Sequence, residues 1–161
     1  VRAELIGGEL YMTPAPTPAH QDVVLQLARY LADYADRTGS GRAFVAPVDV
    51  YLPTGDVVQP DLILVAKTGR AQVTDCIEGA PDLLIEVLSP FNAERDLVVK
   101  RDLYARNEVP AYWIADPMER SIQLLRLREG AYEPEAYHHG DAVLEPHAFP
   151  GLRVPLSRIF G

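Results

Sequence analysis

The chain has 161 residues, 48% hydrophobic and 24% charged, with a formal net charge of −8. This is the profile of one soluble globular domain, 1–161, long enough for a single real core. It excludes a membrane span, which needs about 18 or more apolar residues in a row, and, with Cys76 as the only cysteine, a disulfide framework or a cysteine-built zinc site.

ELIGGELYMTP, residues 4–14, alternates weakly around Gly7-Gly8 and predicts a hairpin or a short edge strand. PAPTPAH then breaks regular structure. Thr17 is a plausible N-cap with Pro18 at the first helical position. Val24, Leu27, Leu31 and Tyr34 recur at helical spacing, and Gly39 offers a C-terminal stop, so a helix is expected over about 18–38. Residues 42–53, RAFVAPVDVYLP, alternate and predict one strand. Thr54 to Asp56 is turn chemistry, and VVQPDLILVA, 57–66, predicts a second strand. KTGRAQVTDCIEGA reads as a polar loop.

The third strand is PDLLIEVLS, from Pro81. A helix follows from about Asn92, its cap, to Asn107, with Leu97, Val98 and Tyr104 on its apolar side. AYWIAD is the fourth strand. SIQLLRL and YEPEAYHH form a hairpin through REG, and a Pro-rich tail ends the chain. The expected core order is α-β-β-β-α-β, an α/β fold with a mixed central sheet flanked by helices and a C-terminal β-hairpin extension.

Glu86 is the anomaly in this pattern. It interrupts a run of leucine, isoleucine and valine, where an unpaired carboxylate costs several kcal/mol or takes up a proton. Period-two alternation puts Asp82, Leu84, Glu86 and Leu88 on one face of the third strand, and Asp61, Ile63 and Val65 on one face of the second. If the strands are neighbours, Asp61 and Glu86 converge, and two such carboxylates repel unless a hard cation lies between them. Asp96, Lys100 and Tyr104 share a face of the following helix, whose return could bring the Lys100 ammonium beside both acids. Two acids, a metal and a lysine suit phosphodiester hydrolysis.

QPD at 59–61 and IEV at 85–87, within this element order, resemble the PD-(D/E)XK nuclease superfamily, which has the restriction endonuclease-like fold. GELYMTPAPTPAHQ, FVAPVDVYL, VVQPDLILV, APDLLIEVLSP and RDLVVKRDLYARNEVPAYWIADP together resemble its Uma-type endonuclease family from about Glu4 to the end. The resemblance implies Asp61, Glu86 and Lys100 as catalytic residues. It implies Mg²⁺ or Mn²⁺ on Asp61 and Glu86, with the Val87 backbone carbonyl as a further ligand. His20, Gln59, Ser89, Asp96 and Tyr104 would line or brace the pocket. The superfamily's lysine two residues after the glutamate would fall on Leu88, and Lys100 takes its place. The implied partner is nucleic acid, DNA before RNA.

Other readings stay open. A catalytically silent binding or regulatory module with this fold accords with the acidic charge, which opposes attraction to nucleic acid. Arg95, Arg101, Arg106, Arg126 and Arg128 could still form a local basic rim. A carboxylate-pair glycosidase is a second rival, against which Lys100 speaks. Asp82 and Asp49 read as a cap and an edge-facing polar residue. His138, His139 and His147 lack the spacing of a zinc site, because adjacent strand residues point to opposite faces. The helical first turn disfavours charge on His20. A homodimer, paired through the terminal hairpin, suits double-strand cleavage. Nothing suggests export, so the cytoplasm is the default compartment.

Overall fold

A computed structural model describes residues 2–90 and 94–161, with side chains of 94–96 outside the description. The first two strands, β1 (Arg2–Ile6) and β2 (Glu9–Thr13), form the expected hairpin, turning on Gly7 and Gly8 at φ 58° and 79°. Only glycine occupies that left-handed region without a Cβ penalty. Helix α1 (Pro18–Thr38) begins where the Thr17 hydroxyl accepts a hydrogen bond from the His20 amide at 3.2 Å, and ends on left-handed Gly39.

The two long strands expected over 42–53 and 57–66 are each broken in two. The first becomes β3 (Gly41–Val45) and β4 (Val50–Tyr51), and the second β5 (Val57–Val58) and β6 (Leu62–Ala66). Pro47 and Pro60 sit at the breaks, and a proline has no N–H to give a ladder. Each break also moves the chain between two sheets, which period-two patterning does not reveal. The expected polar loop at 67–80 holds a further pair, β7 (Gln72–Val73) and β8 (Ile77–Glu78), because Ala71 and Ile77 are buried anchors.

Then come β9 (Leu83–Val87), α2 (Glu94–Arg106), β10 (Ala111–Asp116), β11 (Ser121–Arg128) and β12 (Ala131–His139). The tail is not merely irregular. It carries β13 (Val143–Leu144), β14 (Val154–Pro155) and the single turn α3 (Leu156–Ile159). The expected cap Asn92 lies outside the described residues. Val98, expected on the apolar side of α2, is instead 68% exposed, while Leu103 and Tyr104 are fully buried.

The central sheet runs β12-β11-β10-β9-β6-β3, with β9 and β10 parallel and the other pairs antiparallel. The α2 crossover is what a parallel pair requires. A second sheet runs β2-β1-β5-β4-β8-β7. Alternation divides the central strands between two cores. Leu62, Leu64, Ile85, Val87 and Trp113 pack under α1 and α3, while Ile63, Leu84, Tyr112 and Ile114 pack against the second sheet and α2. Among the described residues, no helix is long and apolar enough to cross a membrane.

Candidate active site

The register Leu62↔Ile85 and Ile63↔Leu84 between β6 and β9, carried one step further, sets Asp61 opposite Glu86. Both lie at the sheet end that faces the second core. The convergence expected from alternation is therefore present, and it follows from a chain that pairs antiparallel strands in this register.

Glu86 is 6% exposed, and its Oε1 accepts hydrogen bonds from Lys100 Nζ at 3.0 Å and from the Tyr104 hydroxyl at 2.7 Å. Lys100 and Tyr104, four residues apart on α2, reach the same oxygen from one helical face. Lys100 is itself 4% exposed, so an open surface pair is not its role. Burial, partly offset by Lys100 and reinforced by the charges of Asp61 and Glu4, pushes the Glu86 carboxyl up to about 7. Burial and the same two glutamates hold the Tyr104 hydroxyl well above its ordinary value, so it stays a donor.

Asp61, 2% exposed, is differently served. Its Oδ2 accepts from the Val87 amide at 2.7 Å and lies 3.4 Å from His20 Nε2, while its Oδ1 accepts from Arg2 Nη1 at 2.7 Å. Burial alone would raise this carboxyl, but the hydrogen bond to His20, the Arg2 charge and the Val87 amide hold it below the ordinary range. His20 differs from expectation. Burial works against its charge, yet Asp61, Gln21 and the Val87 backbone raise its pKa overall, because a carboxylate within 3.4 Å outweighs the helix dipole.

Two residues that the sequence did not single out complete the site. Glu4 is 6% exposed and receives Lys100 on both oxygens, at 2.9 Å to Oε1 and 3.1 Å to Oε2, while the Gln59 amide donates to Oε2 at 2.7 Å. Arg2 spans Asp61 and the Gln59 carbonyl, to which its Nη2 donates. Arg2, Glu4 and Ile6 alternate on β1, and that period-two step was the available signal. A hairpin near the start of a chain gives no hint that its inward face meets β9.

Gln59 braces the site mainly through its backbone. Its side-chain amide donates to Asp49 Oδ1 at 2.9 Å, so Asp49 is a support for Gln59 rather than an edge-facing polar residue. Asp82 accepts from the Ala66 amide at 2.7 Å, as a strand cap should, and takes no part in the carboxylate group. The side chain of Asp96 lies outside the described residues. Of the five arginines considered for a basic rim, three are engaged within the chain. Arg106 pairs with Asp102 and Arg128 with Glu133, and Arg101 donates to the Tyr132 carbonyl, while the Arg95 side chain is outside the description.

Three carboxylates, Glu4, Asp61 and Glu86, thus surround two fixed cations, Arg2 and Lys100. Each of the three carboxylates is already engaged by a donor of the chain itself, and their hard oxygen atoms are of the class that could hold a divalent cation. Asp61 and Glu86 are the residues able to hold it, with the backbone at Val87 beside them. No cluster of three or more histidine, cysteine or acidic residues arranged for a metal is found among the described residues. A pocket of about 100 Å³ reaches the site from the Asp61 side, where Arg2, His20 and Ser89 form part of its wall. A larger hollow of about 360 Å³ lies against exposed and half-buried residues of α1 and Arg158, away from this chemistry.

Comparison with known proteins addresses the family and the fold. The family Uma2, described as "Putative restriction endonuclease", matches residues 1–157. No curated protein matches. A crystal structure from Anabaena variabilis, described as "a putative nuclease belonging to DUF820", superposes with a TM-score of 0.79 at 21% sequence identity. The match covers 98% of this chain and 89% of that one. At that identity the likeness establishes a shared fold, the nuclease-type mixed α/β architecture.

Proposed function

The chain belongs to the Uma2 family of restriction endonuclease-like proteins, and on that footing we propose that it is a metal-dependent endonuclease hydrolysing phosphodiester bonds, in DNA rather than RNA. The observation that carries this reading is the meeting of Asp61, Glu86 and Lys100 at the end of β6 and β9, with Lys100 Nζ 3.0 Å from Glu86. Mg²⁺ or Mn²⁺ held by Asp61 and Glu86 would supply Lewis acidity and a water of lowered pKa.

The remaining work falls to the chain itself. Lys100, bonded to Glu86 and Glu4, presents a fixed ammonium that orients a nucleophilic water and offsets charge as the phosphate gains a bond. Tyr104 fixes the second side of Glu86 Oε1, so the carboxylate cannot rotate away from the lysine. His20 and the Val87 amide orient Asp61. Burial of all these groups strengthens each electrostatic contact relative to water. The one cysteine, Cys76, is a free thiol, which suits cytoplasmic chemistry.

Labelled single- and double-stranded DNA and RNA incubated with Mn²⁺ test the reading. Cleavage of DNA is expected, abolished by EDTA and reduced about 10²–10³-fold in Lys100→Ala, the typical cost of losing one preorganised transition-state group. Cleavage that survives EDTA or is unchanged in the variant would overturn it. DNA retention with no cleavage under any metal would favour the silent binding module, a reading that the Arg2–Asp61 pair supports, since it holds a metal-ligand candidate against a fixed cation.

We further propose a homodimer formed along β12, the nine-residue strand that ends the central sheet and offers a backbone edge to a second copy. Sedimentation equilibrium should give twice the chain mass. A monomer at tens of micromolar concentration would rule it out.

A further inference from the structure

The pocket on the Asp61 side has a composition unlike the site behind it. Arg2, Thr13, His20 and Ser89 contribute its polar wall, Pro14 and Pro16 part of its apolar wall, and no carboxylate lines it among the described residues. In a chain of net charge −8, a concave surface lined by one guanidinium, one imidazole and two hydroxyl-bearing residues is a concentration of hydrogen-bond donors, with Asp61 paired to the two nitrogen-bearing groups behind it. The two terminal nitrogens of Arg2 donate to Asp61 and the Gln59 carbonyl, which fix the plane of the guanidinium. Its Nε is buried and has no hydrogen-bond partner. That atom is enclosed and out of reach of a ligand; what an incoming acceptor can meet is the second N–H of each terminal nitrogen, since the contacts to Asp61 and Gln59 commit one apiece.

We propose that Arg2 is a phosphate-binding residue, and that the pocket formed with Thr13, His20 and Ser89 takes a backbone phosphate of the nucleic acid strand. This inference rests on the nuclease reading and names the group by which a strongly acidic protein holds an anionic strand. A guanidinium carries five N–H donors, so the two committed to Asp61 and Gln59 leave terminal donors for a phosphate oxygen, and a guanidinium already oriented loses little further freedom on binding. The same residue bridges substrate and catalytic carboxylate, so a phosphate on Arg2 lies beside Asp61. The proline-containing segment 14–16 gives that wall a preset backbone, since each proline fixes its own φ.

The test is made in EDTA, where metal-dependent cleavage is silent, by titrating ¹⁵N-labelled protein with a thymidine dinucleotide carrying one internal phosphodiester, and separately with inorganic phosphate. The dinucleotide should shift the Arg2 side-chain and Thr13 amide resonances saturably. Arg2→Gln should weaken its binding at least tenfold, and Arg2→Lys, which keeps the charge without the fork, by a smaller factor. Should Arg2→Gln fail to fold, Arg2→Lys decides the matter by itself.

Equal dinucleotide affinity in wild type and Arg2→Lys would overturn the proposal, as would saturation by inorganic phosphate with no response to the dinucleotide. The two readings fail separately. Arg2-dependent binding without cleavage in Mn²⁺ would remove the nuclease activity and leave the phosphate site. Cleavage with binding indifferent to Arg2 would do the reverse.

Discussion

The two faces of the central sheet bury their side chains to the same depth by different physics. Under α1, Leu27, Leu31, Leu62, Ile85 and Trp113 are at most 2% exposed in one apolar cluster. On the opposite face, Ile63, Leu84 and Tyr112 are equally buried, but the end of that layer holds Glu4, Glu86 and Lys100 at 4–6% exposure. The first face is stabilised by area and fit. The second borrows that apolar surround to sharpen a charge network whose members are stable only together. The contrast teaches where buried charge is concentrated: at the strand ends, on the face where a second sheet and α2 close over the carboxylates.

Deleting one charge should separate the faces most strongly. Lys100→Met leaves Glu4 and Glu86 buried without their shared cation, and a loss of about 3–5 kcal/mol is expected by urea unfolding. Leu31→Ala on the apolar face should cost a comparable ~2–5 kcal/mol through a cavity. The distinction lies in pH. The Lys100→Met loss should shrink as the two glutamates protonate in acid, whereas the Leu31→Ala loss should be the same at pH 5 and pH 8.

A smaller effect sharpens the same comparison. Glu86 has a folded pKa of about 7 against an ordinary 4.5, so the folded state holds a proton that the unfolded state releases first. Its contribution to stability is complete below about 4.5 and is lost as pH rises through about 7. His20, also raised, works in the same direction. The metal-free melting midpoint should fall by several degrees between pH 5 and pH 8, since each pKa unit is about 1.4 kcal/mol and each kcal/mol about 2–4 °C at this size. Glu86→Gln, which cannot titrate, should flatten most of that slope. An unchanged slope in the variant would mean that Glu86 is not the group responsible.

Local chemistry carried much of the fold into view. Thr17, Pro18 and Gly39 bounded α1, alternation set Asp61 and Glu86 on their faces, and helical spacing put Lys100 and Tyr104 together. These are contacts within a few residues or a single period, and periodicity reports them directly. The resemblance to a nuclease family supplied the identity of the lysine, which spacing alone had only made possible.

What sequence did not determine was every feature that depends on which surfaces meet. Pro47 and Pro60 were legible as interruptions, but not as the points where two strands leave one sheet for another. Arg2 and Glu4 lie 59 and 82 residues from the acids at 61 and 86, and an alternating hairpin looks alike whether its inward face meets apolar side chains or carboxylates. The sequence alone determined that a charge was buried at position 86. Only the tertiary structure decided what answers it, because burial energies depend on neighbours in space, and long-range neighbours leave no period in the chain.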